Sequence, residues 1–190
     1  MNTNVYLVRH AHSIFTPDER HRPLSERGKQ DAKRVAQILN KEQIDVVISS
    51  PYARAIETVE EVAIYHQLPV ILVDGFKERK LAAQPVADFE AAMDQLWHNE
   101  DFSFQGGESN KEAQRRGVKA FQDVLDTYSG KNIVIGTHGN IMTLIMNYYD
   151  SSYHFAFWQQ LSMPDIYRLT FDQAQRLMEV KRLWEEQEQR

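Results

Sequence analysis

"VYLVRHAHS", Val5 to Ser13, is the stretch on which the reading of this chain turns. Val5-Tyr6-Leu7-Val8 has the β-branched and aromatic character of a buried strand. It then gives way abruptly to Arg9, His10 and His12. Polar and charged groups at the mouth of a buried strand are costly unless something there uses them. The pattern returns at "KNIVIGTHGN", residues 131–140, where a second apolar run ends at His138 and a glycine follows.

Working outward from these two stretches, strands and helices alternate. Residues 4–9 read as a strand. Ser25 predicts the cap of a helix over 26–40, because Ala32, Val35, Ala36 and Leu39 repeat at i, i+3, i+4 and i+7. "DVVIS", 45–49, is a second strand. Ser50 and Pro51 then suit the N-cap and first position of a helix. "PVILV", 69–73, is the third strand, and a helix is predicted over 86–97. "GGES", 106–109, reads as a turn, followed by a helix to about Tyr128 with Phe121, Val124, Leu125 and Tyr128 on one face. After the strand within 131–140, a helix is expected over 140–148. The tail segments "FAFWQQL", "DIYRLTF" and "QRLMEVKRL" read as two or three strands, the last pair joined by a turn near Asp172–Ala174. Such alternation implies right-handed βαβ units: an α/β protein on a largely parallel sheet with helices on both faces.

The 190 residues suit one domain with a full core, and no linker or repeat divides them. Hydrophobic residues at 42% and charged residues at 26% mark a globular chain. The net charge of -5 argues against nucleic acid as a partner. Without cysteine there is neither a disulfide framework nor a thiol nucleophile. No apolar run approaches membrane-spanning length and the start lacks a signal-peptide pattern, so a soluble cytoplasmic protein is expected. Oligomeric state is not readable from the sequence.

Ligands of such sheets bind at the carboxyl ends of the strands. Three strands deliver polar residues there: Arg9 and His10, then Ser49, Ser50 and Arg54, then His138. Two guanidiniums, two imidazoles and a helix start together suit a phosphoryl group. The guanidiniums should hold the His10 pKa below the ordinary ~6.5. A neutral ring keeps a lone pair and can attack phosphorus. Arg9, Arg54 and His138 would stabilise the transferring group, where one well-placed arginine is worth about 10³–10⁵ in rate. Ser13 is a further candidate for a phosphate contact. The leaving alkoxide needs a proton, and a carboxylic acid beside a bound phosphate dianion can supply it. The candidate is Glu78 in "DGFKERKLA", just after the third strand, although composition does not single it out among 27 acidic residues.

At these residues the chain resembles the histidine phosphatase superfamily, the phosphoglycerate-mutase-like group with an Arg-His-Gly or Arg-His-Ala signature. "LVRHAHS" is similar to that signature, with His10 as the phosphorylated residue. "RPLSERGKQDAKRVAQIL" resembles the opening of the family's first helix, and "ISSPYARAIETV" the segment that supplies the second arginine, here Arg54. "FKERKL" resembles the segment carrying the acid, here Glu78; "GGES" recurs in the family; and "IVIGTHGNIMTLI" is similar to the segment of the second catalytic histidine, here His138. The resemblance covers most of the chain and implies a three-layer αβα sandwich. Its sheet would be mixed and largely parallel with an antiparallel edge. It also implies one domain over 1–190 with a flap over about 74–110, and a cofactor-free, metal-independent phosphomonoesterase acting on small phosphate esters.

Two other functions share these residues. A phosphoglycerate mutase would use the same site, but mutases of this group are usually longer, with segments that seal it. A phosphate-binding adaptor would need no nucleophile. His10-x-His12 with His138 and Glu78 could hold a metal, but Arg9 and Arg54 would repel a dication. Glu108 and Ser109 read first as turn and N-cap residues. Arg20, His21 and Arg22 read as a solvated loop, because Asp18 and Glu19 adjoin them. Trp97, Phe155, Phe157 and Trp158 read as core.

Overall fold

The computed structural model describes residues 1–185. Six strands form one sheet in the order β3-β2-β4-β1-β5-β6. They are β1 (Thr3–Arg9), β2 (Val46–Ser49), β3 (Val70–Leu72), β4 (Asn132–Thr137), β5 (Asp165–Phe171) and β6 (Leu177–Arg182). The first four strands of that order run parallel; β5 is antiparallel to β1, and β6 to β5. The sheet is therefore mixed with an antiparallel edge, as expected.

Alternation along the strands divides the core into two layers. Val5 and Leu7 of β1, with Ile133 and Ile135 of β4, pack under α4 (Asn110–Thr127) and α5 (Gly139–Tyr149) through Phe121, Leu125, Ile141 and Ile145. Tyr6, Val8 and Val134 face the other way, toward Val35 and Leu39 of α1 (Glu26–Leu39) and Val59 and Val62 of α2 (Ala53–Tyr65). Both faces are thus covered, which explains why β1 and β4 read as unbroken apolar runs.

Local signals set the helix starts. The Ser25 side chain accepts from the Gly28 N–H at 3.0 Å. Ser109 caps α4 in a reciprocal pair with Glu112. Asp88 caps α3 (Phe89–His98), which begins three residues later than predicted.

Two expectations are corrected. Ser50 and Pro51 do not open α2: it begins at Ala53, after a Tyr52 that makes no side-chain cap bond. The Ser50 hydroxyl lies against His138 instead. "FAFWQQL" is not a strand but the short helix α6 (Phe155–Gln160). Residues 155 and 158 stack on one side of it, and Phe157 and Trp158 pack on the core. Tertiary packing overrides the β-propensity of these aromatics, because β5 already takes the place beside β1. The last two strands do form a hairpin, with Gln175 at φ 57° in its turn.

Candidate active site

The carboxyl ends of β1, β4 and β2 lie side by side, with Arg9 opposite Thr137 and Ser49 opposite Gly136. The residue following each strand end therefore reaches one place. His10 and His138 meet there with ring centroids 5.1 Å apart. Ser50 follows β2, and its Oγ is 2.8 Å from His138 Nε2.

Hydrogen bonding fixes the tautomer of His10. Its Nδ1 is 2.7 Å from the carbonyl oxygen of Ala11, which can only accept. Its Nε2 is 3.3 Å from Arg54 Nε, which can only donate. The ring proton therefore belongs on Nδ1, and the Nε2 lone pair faces the guanidinium. The His10 pKa is pushed down from 6.5 to about 3. Burial is the largest cause and Arg54 the next, with Arg9 smaller and the bond to Ala11 opposing. The direction matches the sequence expectation; the leading cause does not, because the ring is only 7% exposed. The fully buried His138 is likewise held well below 6.5, by burial first and then by His10, Arg54 and Arg9.

Arg54 sits in the first turn of α2 and is 4% exposed. Its Nη1 donates to the Glu19 carbonyl at 2.8 Å and its Nη2 to Glu19 Oε1 at 3.1 Å. Arg9 Nη1 donates to the carbonyls of Leu161 and Ser162 at 2.9 and 3.1 Å. The Arg9 guanidinium lies against Gly139, where a Cβ would approach Nε to 3.0 Å and Cζ to 3.1 Å. The glycine after His138 thus admits the arginine that ends β1. Arg9 Nε and His138 Nδ1 are buried with no hydrogen-bond partner among the described residues. Buried polar atoms are rarely left so, and those that are call for an explanation such as a bound group.

Glu78 is anchored at the start of α5. Its Oε2 accepts from the Asn140 N–H and its Oε1 from the Ile141 N–H, both at 3.1 Å, while Oε1 also accepts from the Arg79 N–H at 2.9 Å. A pocket of about 700 Å³ adjoins the site. Its walls include Glu19, Tyr52, Glu78 and Asn140, and most of the rest comes from residues 77–93. Tyr52 packs its ring 5.2 Å from that of His138.

The remaining candidates lie elsewhere or do other work. Ser13 is half-buried and makes a backbone bridge to Leu24. His12 is exposed, with Nδ1 2.9 Å from the Ser25 hydroxyl at the start of α1. Among the described residues no three His, Cys, Asp or Glu side chains gather as a metal-holding group. No helix among them is long and apolar enough to cross a membrane. Sequence reasoning missed Glu19, whose hold on Arg54 carries no local signature in "PDERHR". It also missed the carbonyls of Leu161 and Ser162, since backbone groups leave no mark in a sequence.

Comparisons with known proteins point to one family. The family model described as "Histidine phosphatase superfamily (branch 1)" matches residues 5–183. Phosphoserine phosphatase 1 of Hydrogenobacter thermophilus is 35% identical over 148 residues, covering 70% of this chain and 69% of its own. Phosphoglycerate mutase-like protein 4 of Arabidopsis thaliana is 30% identical over 154 residues, covering 73% and 67%. The solved structure of a mycobacterial glucosyl-3-phosphoglycerate phosphatase shares the fold at a TM-score of 0.76 and 18% identity, covering 97% of this chain and 99% of that one. With the signature at His10, the paired arginines and the match spanning nearly every described element, the chain belongs to the histidine phosphatase superfamily, branch 1.

Proposed function

We propose that this chain is a cytoplasmic phosphomonoesterase that passes the phosphoryl group of a small phosphate ester first to His10 and then to water. One observation carries the reading: His10 holds its ring proton on Nδ1 and directs its Nε2 lone pair toward Arg54. A group that only bound phosphate would gain nothing from a neutral, buried imidazole. In the first step Nε2 forms a bond to phosphorus while the ester P–O bond breaks. The Glu78 carboxyl gives its proton to the leaving oxygen. In the second step Glu78 takes a proton from water, whose oxygen bonds to phosphorus as the P–N bond breaks. Arg9, Arg54 and His138 hold the three equatorial oxygens, and Arg9 Nε and His138 Nδ1 are polar atoms with no partner among the described residues. On Arg54, the phosphoryl group would replace Glu19.

Phosphoserine is the first substrate to assay. The 35% identical relative carries that substrate in its name, and the pocket wall includes both signs of charge, with Glu19, Arg22 and Lys80 among its residues, to meet an ammonium and a carboxylate. The segment 74–110, which supplies much of that wall, serves in this reading as the flap of a single domain. The test is release of inorganic phosphate from phosphoserine by the wild type and by His10→Ala. Loss of turnover in the variant is expected; equal turnover would end the reading. Isomerisation of 3-phosphoglycerate faster than phosphate release would replace it with a mutase.

A further inference from the structure

Arg116, in the second turn of α4, is remote in sequence from every residue given a chemical role above. Its guanidinium is nevertheless fully engaged with the strand-to-flap segment. Nη1 donates to the carbonyl of Gly75 at 2.8 Å and to that of Lys77 at 3.0 Å. Nε and Nη2 donate to the two oxygens of Glu108 at 2.8 and 2.9 Å, a bidentate pair. Glu108 Oε2 in turn accepts from the Lys80 N–H at 3.0 Å, and the Glu108 N–H donates to the Lys80 carbonyl at 2.8 Å. Arg79 adds a third tie, its buried guanidinium donating to the Glu108 carbonyl and to Asn110 Oδ1. Gly107 lets the "GGES" turn come this close, since a Cβ there would overlap the Leu81 carbonyl.

The backbone is thus pinned at residues 75 and 77 on one side of Glu78 and at residue 80 on the other. A four-residue irregular segment with no sheet partner would otherwise have several conformations open to it. The bonds from Asn140 and Ile141 hold the carboxylate, but not the chain that carries it.

We propose that Arg116 and Glu108 form a clip whose role is to position Glu78 for proton transfer to the leaving group. This rests on the assignment of Glu78 as the general acid. Neither residue touches the reacting atoms; both are positioning residues. An acid displaced by about 1 Å loses on the order of 10² in rate; in kcat/KM, which reports phosphoryl transfer to His10, that loss falls on esters whose leaving group needs the proton, whereas hydrolysis of the phosphohistidine is slowed alike for all.

The leaving group is therefore the readout. Glycerol 2-phosphate departs as an alkoxide that needs a proton, whereas p-nitrophenyl phosphate departs as a stable phenolate. Arg116→Met is expected to lower kcat/KM for glycerol 2-phosphate by about 10²-fold while changing that for p-nitrophenyl phosphate less than about 3-fold. Glu108→Gln, which keeps the side-chain shape but loses the bidentate acceptor, should show the same selectivity to a smaller degree and serves if Arg116→Met does not fold. Glu78→Gln is the reference. If it discriminates between the two esters and the clip variants lose both equally, or neither, the positioning role is wrong while the acid assignment stands. If Glu78→Gln itself does not discriminate, the acid assignment falls and the clip's role falls with it.

Discussion

Acid destabilisation offers a quantitative check on the electrostatics of the site. The perturbation is His10→Gln, whose amide can still accept from Arg54 but cannot titrate. In the native protein the His10 pKa lies near 3, against 6.5 for an ordinary histidine. Between those values the unfolded chain carries a proton that the folded chain does not. Stability therefore rises with pH across this window, is complete above about pH 6.5, and is lost as pH falls toward 3. At about 1.4 kcal/mol per pKa unit, the depression from 6.5 to about 3 corresponds to about 5 kcal/mol over the full window. The carboxylates act in both proteins and cancel in the comparison; His138 keeps the burial that is the largest cause of its depression and loses only the smaller contribution of His10. Urea denaturation at a series of pH values should show the wild type losing about 1.4 kcal/mol more per pH unit than the variant between about pH 4 and pH 6. Parallel slopes for the two proteins would refute the reasoning, for His10 would then titrate alike in the folded and unfolded chains.

Three further changes probe the parts around it. Gly139→Ala drives a methyl group against the Arg9 guanidinium; phosphatase kcat/KM should fall by about 10²-fold with the thermal midpoint little changed, and retained activity would show that Arg9 is free to shift. Ser50→Ala removes the hydroxyl 2.8 Å from His138 Nε2 and should lower kcat by about 10-fold while leaving KM near its wild-type value, which steady-state kinetics would read. Asp165→Asn weakens a buried carboxylate that accepts from Arg182 Nε at 2.9 Å and from the Ser162 N–H at 2.9 Å. It should cost about 1.5–3 kcal/mol by urea denaturation and also lower activity, because Ser162 carries a carbonyl that holds Arg9.

How much of this was legible beforehand depended on how far each interaction spans. The runs ending at Arg9 and His138 betray themselves locally: an apolar strand that stops at a titratable residue marks the functional end of a sheet, and β1 pairs directly with β4. The Ser25 and Ser109 caps are local as well. Ser50 misled, because a serine before a proline is equally good as a cap and as a hydrogen-bond partner for a distant histidine; only the arrival of β4 decides. "FAFWQQL" misled because its aromatics favour either state and the neighbours fill the sheet. Glu78 was identifiable only through family resemblance, as its carboxylate answers to N–H groups 62 and 63 residues away. Glu19 and Arg116 escaped altogether, for the same reason: Arg54 lies 35 residues from Glu19, Gly75 and Lys77 lie 41 and 39 residues from Arg116, and all three of these contacts are to backbone carbonyls.

The account comes down to which nitrogen accepts phosphorus. Rapid mixing with substrate, an alkaline quench that preserves phosphoramidates, and phosphorus NMR of the trapped enzyme would decide it. The structure predicts one phosphoryl group on His10, attached at Nε2 and absent from His10→Gln. Phosphorus on Nδ1, on His138, or on no histidine while substrate is still hydrolysed would contradict it.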